Sequence, residues 1–293
     1  MEYSKFLDDL ITTAAKENAS DLHLAVGRHP ILRVAGALLP LTNLALLTPD
    51  DTAGLVESMI GKKKFKEFLV KKDYDFSYAF KDKIRFRVNI YFQKGYIGAA
   101  LRAIPVKIRT VQDLMLPETL LEFTRKEQGF FLVVGPTGHG KSTTLAALVD
   151  EINHSRAQRI ITIEDPIEYI YTPDRSIIDQ REVGFDTADF STAMRAMFRE
   201  DIDVAMIGEM RDPETISTAV TAAETGHLVF SSLHTNNAAQ TIDRIIDTFP
   251  GSQQDQIRAQ LANTLIGVFS QRLIPRASGG LIPGYELLIS TPA

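Results

Sequence analysis

Apolar positions recur along this chain in two textures. Near the amino terminus Phe6, Leu7, Leu10, Ile11, Ala14 and Ala15 fall at helical spacing behind Ser4, which predicts a short amphipathic helix over 4–18 capped by Ser4. Strand-like pieces follow. Leu22–Val26 and Ile31–Val34 flank the turn Gly27-Arg28-His29-Pro30, and Tyr74–Phe80, Ile84–Phe92 and Tyr96–Ile104 alternate or carry β-forming residues between turn signals. Together they predict a small α+β domain with an antiparallel sheet over 1–104. Pro105 and Pro117 mark 105–128 as a linker that ends in a helical stretch. From Gly129 the texture changes. Phe130–Val134, Ile160–Glu164, Val204–Gly208 and Leu228–Ser232 are short unbroken apolar runs suited to strands buried on both faces, and helical periodicity follows most of them. That alternation predicts an α/β domain over 129–293, a mostly parallel sheet covered by helices. Within it Asp212-Pro213-Glu214 predicts a helix start, Gly226 follows that helix, and 252–269 reads as helical.

Composition narrows the picture. The 293 residues are 44% apolar, ordinary for a folded protein of about two domains. With no cysteine there is no disulfide framework, thiolate metal site or thiol nucleophile. The longest apolar runs are about five residues, against roughly 20 needed to cross a bilayer. Glu2, Lys5, Asp8 and Asp9 interrupt any signal-peptide core. The expectation is a cytoplasmic protein without a transmembrane segment, touching membranes peripherally if at all.

Charge is unevenly spread. The chain carries 32 Lys+Arg against 37 Asp+Glu, a net −5, yet residues 62–109 hold 14 basic and 4 acidic residues, a balance of +10 that leaves −15 elsewhere. Lys62, Lys63, Lys64, Lys66, Lys71 and Lys72 read first as the solvated face of a helix. The other reading is a groove for single-stranded nucleic acid, because Phe65, Phe68, Tyr74, Phe76 and Tyr78 interleave with the patch.

The most specific chemistry lies at Gly135-Pro136-Thr137-Gly138-His139-Gly140-Lys141-Ser142, which matches G-x-x-x-x-G-K-[ST] directly between an apolar strand and the helical stretch 143–153. Glycines let successive backbone N–H groups wrap a phosphate, and the helix start adds its positive dipole end. Gly135 through Thr143 are therefore the expected nucleotide-binding residues, with Lys141 on the terminal phosphates and Ser142 on Mg²⁺. ATP is favoured over GTP because no Asn/Thr-Lys-x-Asp motif is present. Hydrolysis also requires carboxylates on neighbouring strand ends, where open α/β sheets hold their ligands. Glu164 and Glu209 stand at such ends and are candidates both for the metal shell and for orienting the attacking water, and the sequence leaves open which is the base. Their bland alternatives are a turn cap before Pro166 and a surface pair with Arg211. His227 and His234 bracket Leu228–Leu233 at a spacing unsuited to zinc, so a γ-phosphate sensor is the sharper expectation. Arg87 and Arg102, on strand-like segments of the basic domain, are candidates to clamp a phosphate.

These segments carry a close resemblance. Gly135–Thr143, Thr162–Glu168, Arg199–Asp212 and Thr225–Asn236 resemble the Walker A, Asp, Walker B and His boxes of the secretion and pilus motor ATPases. Ala19-Ser20-Asp21-Leu22-His23-Leu24 and the short first domain make the chain most similar to the type IV pilus retraction ATPases, the PilT family, over essentially its whole length. The resemblance implies a PAS-like first domain and a RecA-like P-loop ATPase core. It implies a homohexameric motor that binds ATP and Mg²⁺ and promotes pilus depolymerisation, and so twitching motility, through an inner-membrane platform protein at the inner face of the cytoplasmic membrane. A paralogous retraction ATPase could share the work, and no nucleic acid partner is implied. Two family arginines fifteen residues apart approach the phosphates, the separation of Arg87 and Arg102, and Gly208-Glu209 matches the family's Gly-Glu variant of Walker B. Pilus-extension and type II secretion ATPases are the runner-up. They carry a long extra amino-terminal domain and often a Cys₄ zinc module.

Three departures stand out. His139 replaces a usual Ser at a position whose side chain is expected to point away from the phosphates. Phe198 and Ile202 replace the usual Leu and Pro. The family continues past a Thr-Pro pair into a helix needed for retraction, whereas this sequence stops at Thr291-Pro292-Ala293, so the expectation is an incomplete carboxyl end with ATP binding intact.

Overall fold

The computed structural model describes residues 2–81, 84–104, 107–210, 212–277 and 279–291. Pro105, Arg211, Pro292 and Ala293, which entered the sequence reading, lie outside the described residues. The chain divides into two units, 1–106 and 107–293.

The first unit runs α1 (Tyr3–Lys16), β1 (Asp21–Ala25), β2 (Ile31–Val34), β3 (Ala37–Pro40), α2 (Pro49–Lys71), β4 (Asp73–Phe80), β5 (Ile84–Gln93) and β6 (Tyr96–Ile104). Its six strands form one sheet in the order β3-β2-β1-β6-β5-β4. Every neighbouring pair is antiparallel. Leu7, Leu10 and Ile11 of α1, Leu55 and Phe68 of α2, and Leu22, Leu24, Val88, Ile90 and Leu101 of the strands share one core. Ser4 does not cap α1, whose first turn begins at Tyr3 behind Glu2 without a side-chain cap. In α2, Thr48 and Asp51 form a reciprocal capping box ahead of Pro49, and the helical geometry breaks at Gly61, φ +75°. Past that break the lysines fall on the solvated face. Phe68 and Phe76 are buried, and Phe65, Tyr74 and Tyr78 pack against the same core, so these rings are committed to the interior rather than standing as base-stacking platforms.

The second unit runs α3 (Leu120–Thr124), β7 (Gly129–Val134), α4 (Lys141–Ser155), β8 (Arg159–Glu164), β9 (Ile177–Glu182), α5 (Phe190–Met197), β10 (Val204–Ile207), α6 (Pro213–Glu224), β11 (Leu228–Leu233), α7 (Ala238–Asp247), α8 (Gly251–Thr264), β12 (Leu265–Pro275) and β13 (Leu281–Ile289). Seven strands form a sheet in the order β13-β12-β7-β11-β10-β8-β9. All neighbours are parallel except β12 and β13. Every residue of β7, β10 and β11 is buried, as expected of strands with helices on both faces. Residues 107–128 are no free linker, because Val111, Leu116, Leu120 and Phe123 join the core of this unit and the Phe123 ring lies 4.4 Å from that of Phe131. The expected helix over 252–269 ends at Thr264. From Leu265 the chain turns into β12, which pairs with β7 and buries Val268 and Phe269. Among the described residues no helix is long and apolar enough to cross a membrane.

Candidate active site

The loop between β7 and α4 is shaped by three glycines in the left-handed region, Gly135 at φ +147°, Gly138 at +79° and Gly140 at +83°. Gly140 is also the N-cap of α4, so the helix opens on a residue that leaves its first N–H groups directed outward. Two residues of β12 brace the loop and the start of α4. Gln271, itself buried, accepts from the Thr144 hydroxyl at 2.6 Å and donates its amide to the His139 carbonyl at 2.9 Å. The Leu273 backbone N–H donates to His139 Nδ1 at 2.9 Å. The His139 ring is thereby turned onto β12. A methyl group on Gly135 would collide with the Gln271 backbone oxygen, and one on Gly140 would meet the Gln271 amide nitrogen at 2.9 Å.

Parallel pairing brings the carboxyl ends of β7, β8, β10 and β11 to one edge of the sheet. There a polar chain forms. Lys141 Nζ donates to the Pro136 carbonyl at 3.1 Å and reaches His234 Nδ1 at 3.2 Å, and the Thr137 hydroxyl lies 3.3 Å from the same nitrogen. On its other side His234 Nε2 is 3.2 Å from Glu209 Oε2. Because ammonium can only donate, this network assigns the proton of a neutral His234 to Nε2, which donates to Glu209. Burial lowers the Lys141 pKa from its usual value, against the pull of Glu209 and Glu168. The strand ends are tied by the Ser232 hydroxyl, which donates to the Gly208 carbonyl at 2.6 Å.

Glu164 lies deeper. One oxygen accepts from the Thr162 hydroxyl at 2.6 Å and the Gln180 amide at 3.2 Å, and the other from the Glu168 N–H at 3.3 Å. Burial nevertheless pushes its pKa up to about 7. Of the two expected carboxylates, Glu209 is the one joined to the loop lysine through His234. Ser142 sits in the first turn of α4. Thr143 turns its hydroxyl to Tyr169, 2.8 Å away.

The other expected histidine lies apart from this cluster. His227 precedes β11, at the opposite edge of the sheet from His234, about 20 Å along the strand at roughly 3.3 Å per residue. There its Nδ1 bonds the Ala222 carbonyl at 2.9 Å, and its ring stands edge-on to Phe198 at 5.9 Å. It is not brought to the loop of its own chain, and its contacts are those of a helix-to-strand joint. Arg87 and Arg102 belong to the first unit, where they stand directly opposite each other on β5 and β6. Sequence reasoning missed Gln271 and Gln180, since a lone glutamine in an apolar strand carries no pattern that points to a distant loop.

The profile of the type II/IV secretion system protein family matches residues 2–279. The chain is 43% identical over 287 residues to the type IV pilus retraction ATPase PilT of Pseudomonas aeruginosa, covering 98% of this chain and 83% of that protein. It is 40% identical over 265 residues to the twitching motility protein of Neisseria gonorrhoeae, covering 90% and 71%. A crystal structure of the pilus retraction motor PilT with bound ADP matches with a TM-score of 0.92 at 47% identity, covering 98% of this chain and 83% of that one.

Proposed function

The chain belongs to the type II/IV secretion system protein family, and from that premise we propose that it is the ATP-hydrolysing motor of type IV pilus retraction, driving pilin depolymerisation and twitching motility. The observation that carries the chemistry is the Lys141–His234–Glu209 chain laid across the strand ends beside a three-glycine loop.

Phosphates entering the loop offer Lys141 a stronger partner than the Pro136 carbonyl, and the outward N–H groups at the start of α4 add their dipole. The Thr137 hydroxyl supplies a further donor at the terminal phosphate, while His234, whose one N–H serves Glu209, links that carboxylate to Lys141. The donor set of one hydroxyl, Ser142, backed by Glu209 and Glu164, suits Mg²⁺, which keeps most of its shell from water and phosphate. When bound, the ion neutralises charge on the phosphate oxygens. Glu209 is assigned to orient the attacking water. It is the carboxylate linked through His234 to the loop lysine, whereas Glu164 is bonded to Thr162, Gln180 and the Glu168 backbone. Arg87 and Arg102 are assigned as cations for the phosphates in the assembled motor.

The same reading makes the motor a homohexamer at the inner face of the cytoplasmic membrane, acting on an inner-membrane platform protein, alone or beside a paralogous retraction ATPase. Deleting the gene in its own host should leave pili assembled and abolish twitching. The wild-type gene should restore movement and Lys141→Ala should not. Undiminished twitching in the deletion strain, or full rescue by Lys141→Ala, refutes the assignment. Sedimentation with ATP should give a particle of six chains, and a persistent monomer refutes the ring.

A further inference from the structure

The segment Ala19–Leu24 has no part in the chemistry above, although two of its residues are placed with care. Strand alternation sends Leu22 and Leu24 of β1 into the core of the first unit and leaves Asp21 on the opposite face. On that face Asp21 stands directly across from Arg33 of β2 on one side and Arg102 of β6 on the other, and Arg87 of β5 lies across from Arg102. Two arginines thus flank one carboxylate, with the third a strand beyond Arg102.

That carboxylate is held in detail. Asp21 Oδ1 accepts from Arg102 Nε at 3.0 Å, while Oδ2 accepts from the Ser20 hydroxyl at 2.8 Å and lies 3.8 Å from Arg33 Nε. Asp21 is 7% exposed, whereas the Arg102 side chain is 74% exposed. Burial alone would raise the Asp21 pKa, but the Ser20 hydroxyl and the Arg102 guanidinium more than offset it and hold the carboxyl below its usual range. The anion is therefore fixed at the base of the arginine while the end of the side chain reaches solvent. Engaging Nε fixes the plane of the guanidinium and leaves both terminal amino groups free to meet a phosphate as a fork.

We propose that Asp21 is a positioning residue for ATP hydrolysis, holding Arg102 by Nε so that its terminal fork is presented to the nucleotide phosphates. This rests on the assignment of Arg102 as a phosphate cation. The test is steady-state ATPase kinetics on the full chain for Asp21→Asn, Arg102→Ala, Arg102→Lys and the double variant Asp21→Asn/Arg102→Ala, with melting curves for each. Asp21→Asn should lower kcat about tenfold while moving KM less than about threefold, the split expected when orientation rather than binding is lost. The double variant should be no slower than Arg102→Ala alone, because the two residues act through one group. Arg102→Lys, which keeps the charge but has no Nε donor, should fall to the level of Asp21→Asn. Wild-type kcat in Asp21→Asn beside an impaired Arg102→Ala, or losses that multiply in the double variant, overturns the role of Asp21. Wild-type kcat in Arg102→Ala instead overturns the assignment of Arg102 and this inference with it. Should Asp21→Asn fail to fold, Arg102→Lys decides alone, since full kcat there shows that Nε is dispensable.

Discussion

The two sheets of this chain display charge by opposite rules. In the first unit one face of the antiparallel sheet rests on α1 and α2. The other face can carry Asp21, Arg33, Arg87 and Arg102 side by side across four strands. In the second unit β7, β10 and β11 are buried along their whole length, so no charged side chain can stand on them. Chemistry there is confined to the strand ends and the loops that leave them, where Lys141, Glu164, Glu209 and His234 gather. A half-covered sheet can present a field of charge, whereas a doubly covered one presents a row of points.

Substitutions can break this contrast, and the largest effect belongs at a strand end. Lys141→Ala should weaken ATP binding by more than about 100-fold in calorimetry, because it removes the loop's only ammonium from a site built for phosphate. Next comes the backbone that shapes the loop. Gly135→Ala meets both a positive φ and the Gln271 oxygen, and should cost about 2–4 kcal/mol in chemical denaturation. By contrast Gly27→Ala in the first unit, φ +74° with nothing within 4 Å, should cost about 1 kcal/mol. Gln271→Ala removes the brace between the loop and α4, and should raise the ATP dissociation constant about tenfold with only a small change in melting temperature.

A smaller effect follows pH. Burial lifts the Glu164 pKa from 4.5 to about 7, so the folded chain keeps a proton that the unfolded chain releases. Its contribution to stability is fully present below the unfolded value and is lost as pH rises through about 7. Melting temperatures of Glu164→Gln and wild type should therefore diverge in favour of the variant between pH 5 and pH 8. A constant difference across that range would show that Glu164 ionises normally. The smallest effect belongs to the exposed lysines past Gly61. Lys62→Ala with Lys63→Ala should change stability by less than about 0.5 kcal/mol and leave ATPase activity unchanged.

What the amino-acid order revealed follows the same division. Unbroken apolar runs marked β7, β8, β10 and β11, and the loop motif fixed its own place between a strand and a helix, because local pattern and local chemistry coincide there. The α6 cap was equally plain, with Asp212 accepting from the Thr215 N–H at 2.9 Å. Long-range pairing was hidden. Leu265–Phe269 looks like a continuation of α8, and only pairing with β7 makes it a strand. Gln271 gains its importance from the same pairing, which carries it to a loop more than 130 residues earlier. His227 and His234 look alike in the sequence, flanking one strand, yet a parallel sheet uses its two edges differently and only the carboxyl edge holds the loop. The prolines of 105–128 suggested a linker, but Val111, Leu116 and Phe123 bury themselves in the second unit instead.

The central claim is that Glu209 works on a nucleotide gripped by the loop, so binding and turnover should separate there. Glu209→Gln keeps the shape of the side chain and removes the carboxylate. Measured side by side, its ATP dissociation constant should stay within about threefold of wild type while turnover falls by about 100-fold or more. Turnover within twofold of wild type in a variant that still binds ATP would contradict the account.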